Sequence, residues 1–373
     1  VSAGFKPPPY PYDRLDPLKA LAAAHEDGLV DLSVGTPCDP PSAAVVVALG
    51  ASGAEAGYPA SIGSPGFREA ASGWLHRRFG VDVPASRLAA CVGTKEFVAS
   101  VPHLLRLRDP DKDTVIYPAV SYPTYAMGAV LAGCRAVPVA VDEGWHVDLS
   151  SITDEDAARA LCLWVNTPAN PTGAVDDLGA AAGWGRTHGV PVFSDECYVE
   201  FTWTGEGRTI LEHGLDGVVA VHSLSKRSNM AGLRAGFYAG DGDLVRYLSE
   251  VRKHAGLMVP GPVQLAAGVA LEDDAHVAEQ RGRYRERLDL MRAGFVEAGV
   301  DVPAPEGTFY LWVPAPGGDA WALTERLAKE AGILVSPGEF YGPDGSSHVR
   351  VAVVQPTARL ELAARRLSAL SLT

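Results

Sequence analysis

A lysine flanked by hydroxyls and followed eight residues later by an arginine could hold a phosphate and still leave one amine free. The chain carries that set in SLSKRSNMAGLRAG, where Ser223, Ser225, Lys226 and Arg234 follow the apolar run 218–221. A lysine that condenses with a carbonyl must be neutral, and burial or a neighbouring cation achieves this by lowering its pKa. Hydroxyls, backbone amides and a guanidinium fork suit a phosphate. Small residues after a strand equally suit a plain turn, so the segment alone leaves both readings open.

Other polar groups fall at similar places. Gly93-Thr94-Lys95 follows an apolar run and opens a helical pattern, where backbone amides face an anion or Thr94 simply caps the helix. Asn166-Thr-Pro-Ala-Asn170-Pro-Thr-Gly173 is a rigid turn with two asparagines, read as amides aimed at a ligand. Asp195, in Ser194-Asp195-Glu196-Cys197-Tyr198, ends another apolar run and must be paired or hydrogen-bonded there, by a helix end or by a protonated ring nitrogen. Arg350 sits within the apolar Val349-Arg350-Val351, where it needs an internal carboxylate or a bound one.

The elements that must position these groups are legible as periodicity. Apolar runs at 88–92, 114–117, 136–141, 161–165, 190–193, 218–221 and 235–239 are mostly separated by helical patterns such as 65–79, 95–107 and 178–187. That alternation predicts a mainly parallel sheet covered by helices on both faces, with ligands beyond the carboxyl ends of its strands. A helix at 15–25 and a strand at 29–34 precede it. Past residue 240 the pattern becomes a long charged helix at 273–298, strands at 309–313, 333–336 and 348–353, a helix at 321–330 and a last helix from Thr357. The expected organisation is an arm and small-domain segment over 1–35, a large domain over 36–270 and a smaller α+β domain over 271–373.

The whole chain has 373 residues and a net charge of −13, which argues against nucleic acid or an anionic membrane as partner. It contains no run of membrane-spanning length and no apolar signal core, so the cytoplasm is expected. The five scattered cysteines point to reduced thiols rather than disulfides, and no metal site is expected.

Taken in order, Asn166-x-Pro-x-Asn170-Pro-Thr-Gly173, Ser194-Asp195-x-x-Tyr198, Ser223-x-Ser225-Lys226 with Arg234, and Arg350 resemble the class I/II aminotransferases, pyridoxal-phosphate (PLP) enzymes of fold type I. Gly35, Tyr58 before Gly63-x-x-x-x-Arg68, and Gly307-x-Phe-Tyr-Leu-Trp312 extend the likeness over nearly the whole chain. VDLSVGTPCDP, VGTKEFVASVP, SYPTY, SDECYVE, SLSKRSNMAGLRAGF and SPGEFYGP are similar, more narrowly, to actinobacterial-type succinyldiaminopimelate aminotransferases.

The resemblance implies an α/β fold type I transferase with a mainly parallel seven-stranded sheet, working as a homodimer. Lys226 would bond the cofactor and shuttle a proton; Asp195 would pair with the pyridine nitrogen. Tyr198 and Asn170 would hold the ring oxygen, and Tyr122 would stack on the ring or merely fill core. The amides of Thr94 and Lys95, with Ser223, Ser225 and Arg234, would take the phosphate, and Tyr58 would reach in from a second subunit. Arg350, helped by Asn170 and the Gly35 amide, would hold the substrate α-carboxylate. The reaction implied is transamination from N-succinyl-LL-2,6-diaminopimelate to 2-oxoglutarate; a different donor, or another PLP reaction on the same fold, is the alternative. Lys6, Arg14 and Arg227 are candidates for the far end of that donor, and the arm with Tyr10 and Tyr12 is expected over the mouth of the site. A serine acyl enzyme would also use Ser-x-x-Lys, but Lys-Thr-Gly and Lys-Ser-Gly are both absent from the chain. An aminotransferase-like regulator would carry an N-terminal DNA-binding domain and is not expected, since a short Pro-rich arm stands before the first motif and the net charge is acidic.

Overall fold

The computed structural model describes residues 5–51, 53 and 56–372. In chain order its strands are β1 Val30–Asp31, β2 Leu88–Cys91, β3 Thr114–Pro118, β4 Arg135–Val139, β5 Ala160–Asn166, β6 Val192–Asp195, β7 Val218–Ser223 and β8 Gly236–Gly240. Then come β9 Tyr310–Pro314, β10 Ile333–Leu334, β11 Ser336–Pro337 and β12 His348–Ala352.

Strands β2 to β8 form one seven-stranded sheet in the order β2-β8-β7-β6-β5-β3-β4. Its pairings are parallel except those of β8, which runs antiparallel to both β2 and β7. The short apolar runs produce this because a strand covered on both faces has no polar side to show. Every residue of β5, β6 and β7 is buried. Helices Pro65–Phe79 and Gly261–Glu272 contribute to the core on one face, and Thr94–Arg108 and Gly242–His254 to that on the other.

A second core gathers around the three-stranded sheet β11-β12-β9, closed by helices Ala275–Glu297, Ala320–Ala331 and Thr357–Ser368. Val30 of strand β1 and the adjacent Leu32 pack into this core, and β1 pairs in parallel with β10.

Three elements differ from the sequence reading. The strand expected at 29–34 shortens to Val30–Asp31. The strand expected at 333–336 divides at Val335 into β10 and β11, which join different sheets. The charged helix expected from Asp273 begins at Ala275, because the Asp273 carboxylate accepts from the Ala275 and His276 amides and ends the preceding helix. No helix among the described residues is long and apolar enough to cross a membrane.

Candidate active site

Adjacent strands β5, β6 and β7 end on Asn166, Asp195 and Ser223, and the chain turns polar immediately beyond. Against these ends lies a cavity of about 710 Å³. Gly35, Thr94, Lys95, Tyr122, Asn170, Asp195, Tyr198, Ser223, Ser225, Lys226, Arg234 and Arg350 all line it, drawn from positions more than 300 residues apart. Tyr58 does not; its side chain is 97% exposed on the surface.

Lys226 lies on the short helix Leu224–Arg227, whose start is fixed by the Ser225 amide donating to the Ser223 hydroxyl at 3.1 Å. Its amine donates to the Gly35 carbonyl. Burial lowers its pKa to about 8; the cations Arg350 and Arg234 act the same way, and the Cys197 thiol opposes them. A lysine in this setting is partly neutral near physiological pH, as a nucleophile or general base requires.

Asp195 is held in place by the Tyr125 hydroxyl at 2.8 Å and the Cys197 amide at 3.3 Å. Burial raises its pKa, against those two donors, and a cationic partner in the cavity would favour its charged form. The Tyr198 hydroxyl lies 3.0 Å from that of Tyr310.

Arg350 projects from β12. Its guanidinium donates to Asn170 Oδ1 at 2.9 Å, the Ser33 carbonyl at 2.7 Å and the Tyr12 hydroxyl at 3.1 Å, and lies 4.2 Å from the Tyr310 ring centre. Its buried Nε has no partner among the described residues. No carboxylate among them neutralises it, so the internal ion pair left open by the sequence is replaced by neutral acceptors. A fork of this kind matches a substrate carboxylate.

The structure also shows a cradle for an anion. Gly93 precedes the helix Thr94–Arg108 at φ +76°, and a Cβ there would collide with the Arg234 guanidinium. Arg234 itself adopts the left-handed conformation, at φ +56°, which is uncommon for a non-glycine residue. A guanidinium, two serines and a helix amino end for a phosphate, an amine for a carbonyl and a carboxylate for a ring nitrogen, all lining one cavity, fit PLP group by group.

Some sequence expectations change. Asn166 is not aimed at a ligand: its amide donates to the Asp195 carbonyl at 2.8 Å and accepts from the Asn170 amide at 2.8 Å, so it ties the loop to the sheet. Arg227 cannot meet substrate, because its side chain is buried against Glu200 at 3.3 Å and Asp274 at 3.4 Å. Arg14 pairs with Glu339 and covers the Trp321 ring, and neither it nor Lys6 lines the cavity. The arm does cover the site, with Tyr10 and Tyr12 on its wall. Tyr125, Tyr310 and Ser33 escaped sequence reading as functional groups. SYPTY and Gly307-x-Phe-Tyr held the two tyrosines in view, but their partners come from other strands.

Comparison with known proteins gives the same picture. Residues 27–367 match the family model for aminotransferase class I and II. The chain is 42% identical, over 97% of its length and 99% of the relative's, to the 4-dedimethylamino-4-oxo-anhydrotetracycline transaminase OxyQ of Streptomyces rimosus. It is 34% identical to an LL-diaminopimelate aminotransferase of Desulforudis audaxviator, over 96% of this chain and 95% of that one. Among solved structures, a probable N-succinyldiaminopimelate aminotransferase from Thermus thermophilus superposes with a TM-score of 0.86 at 32% identity, covering 96% of this chain and 99% of that one.

Proposed function

We propose a donor for a chain whose family is established: it belongs to the class I and II aminotransferases, which depend on PLP. The donor is an amino acid with an anionic far end, N-succinyl-LL-2,6-diaminopimelate, and the acceptor is 2-oxoglutarate. The observation that carries this reading is a second cation on the cavity wall. Lys95 Nζ stands 5.2 Å from the Tyr10 ring centre and 5.9 Å from that of Tyr122, and no carboxylate pairs with it among the described residues. Arg350 takes the α-carboxylate common to donor and acceptor. Lys95 takes a carboxylate at the other end, which succinyl-diaminopimelate and 2-oxoglutarate both possess.

PLP, when bound, supplies the electron sink that lets the α-hydrogen of the donor leave as a proton. The residues do the rest. Lys226 would anchor the cofactor, and its amine would take up the proton from the substrate α-carbon and give it back later in the exchange. Asp195 keeps the pyridine nitrogen protonated. Tyr198 and Asn170 would hold the ring oxygen, Tyr122 would stack on the ring, and the amides of Thr94 and Lys95, with Ser223, Ser225 and Arg234, would hold the phosphate. Gly35 lies so close to the Tyr310 hydroxyl that an added Cβ would overlap it, so only glycine leaves its backbone free to approach the substrate. The working unit is a cytoplasmic homodimer in which the exposed Tyr58 completes the partner's phosphate site.

A second reading takes its support from the 42% identity to OxyQ: a ring ketone of a specialised pathway as the amino acceptor. A substrate screen with Lys95→Met separates the two. On the diaminopimelate reading, the variant raises KM for succinyl-diaminopimelate and 2-oxoglutarate roughly tenfold or more and leaves alanine unaffected, the loss of one charge-assisted contact. An unchanged KM for both dicarboxylates removes the reading.

A further inference from the structure

Directly beneath the site lies a buried acid that the proposed chemistry does not use. Glu196 is the first residue beyond β6 and His222 the last but one of β7, and these strands pair in parallel up to Asp195 and Val221. Side chains alternate along a strand, so these two turn away from the cavity. There they meet with Glu196 Oε2 3.4 Å from His222 Nε2, their side chains 0% and 4% exposed. The ring of His222 is enclosed by Trp74 and Phe237, each 4.9 Å away between centres. Glu196 Oε1 accepts the Ile210 amide at 2.8 Å. Neither facing atom completes a hydrogen bond among the described residues, their mutual 3.4 Å approach included, and the Thr209 and Ser194 hydroxyls also act on the Glu196 carboxyl.

Two full charges here would be poorly compensated. The charged groups that act on the two are Asp195, which repels a second anion, and Arg227, which repels an imidazolium and is itself engaged by Glu200 and Asp274. An ion pair in such a place must recover a desolvation cost of several kcal/mol per ion. A carboxylic acid facing a neutral imidazole carries no such cost.

We propose that Glu196 is a positioning residue that stays protonated against a neutral His222. The uncharged link ties together the strand ends that carry Asp195 and Ser223. It leaves Asp195 as the negative charge nearest the pyridine nitrogen, so that residue's pairing is not weakened by an adjacent anion. The inference rests on the reading of Asp195 as the partner of that nitrogen. Burial, the larger cause in each case, acts in the same sense: it pushes the Glu196 carboxyl up to about 8 and the His222 imidazole down to about 3.

The sign of the linkage gives the test. A carboxyl raised from 4.5 to about 8 binds its proton in the folded state and loses it on unfolding, so the stability it confers fades as pH rises between those values. In urea unfolding of the full chain, the unfolding constant of the wild type relative to Glu196→Gln should therefore rise about 50-fold from pH 6 to pH 8. Glutamine mimics the protonated acid, so E196Q should bind PLP within about threefold of the wild type. A flat ratio, or a loss of PLP affinity beyond thirtyfold, overturns the proposal. Wild-type protein with ¹³C-labelled glutamate carboxyls decides even if the variant does not fold: a protonated-carboxyl infrared band at pH 7 supports the pair, and its absence refutes it. Asp195→Asn separates the premise, because retained PLP affinity in that variant removes the Asp195 reading without touching the Glu196 proton.

Discussion

Replacing Lys226 by methionine should stabilise the PLP-free protein. The wild type keeps an amine in the cavity whose pKa is lowered from 10.5 to about 8, and burial is the main cause. At 1.36 kcal/mol per unit, the folded state bears a penalty of about 3 kcal/mol for holding that group protonated. Water in the open cavity reduces the figure, so it is an upper bound. Methionine keeps most of the stem and removes the charge, but it also removes the donor to the Gly35 carbonyl, a loss of about 1 kcal/mol. The net gain at pH 7 is then about 2 kcal/mol. The folded state binds the proton more weakly than the unfolded chain, so the penalty is complete below pH 8 and disappears as pH rises to the unfolded value. Urea unfolding of both PLP-free proteins at pH 7 and pH 10.5 measures this directly. A variant no more stable than the wild type at pH 7 would refute the reasoning, and so would a gain that persists undiminished at pH 10.5.

Other outcomes follow from the same geometry. Arg350→Ala should raise KM for donor and 2-oxoglutarate together by about 100-fold, the loss of a forked charged contact used in both half-reactions; an effect on one substrate alone contradicts this. Arg227→Met should cost about 3 kcal/mol of stability by breaking the buried pairing with Glu200, with KM values unchanged. A raised KM with normal stability would return Arg227 to the substrate site.

How much of this was readable in the chain depends on distance. Strands β5, β6 and β7 are short runs of apolar residues whose burial follows from composition. Since ligands gather at strand ends, Asp195 and Ser223 could be placed before any coordinates. Lys226 and Arg234 belong to the same local segment. Arg350 was legible as an anomaly, a cation in an apolar strand, but its surroundings were not. Ser33, Tyr12 and Asn170 come from three remote parts of the chain, and no local pattern joins them. Arg227 shows the reverse failure: a cation in a functional motif reads as available until Glu200, itself bound by Trp74 and Arg78, is seen to claim it. Asn166 misled for the same reason, since its targets are backbone groups fixed by the neighbouring strand.

The central claim is that Lys226 serves a PLP-dependent exchange whose donor is succinyl-diaminopimelate. It is tested most directly by mixing PLP-loaded enzyme with N-succinyl-LL-2,6-diaminopimelate in the absence of any acceptor. The expected result is loss of the bound-PLP absorbance with one 2-oxo acid formed per site, reversed by adding 2-oxoglutarate and absent in Lys226→Ala. An unchanged spectrum with this donor, while another amino acid gives the full conversion, would contradict the assigned substrate. Conversion by Lys226→Ala at the wild-type rate would contradict the site itself.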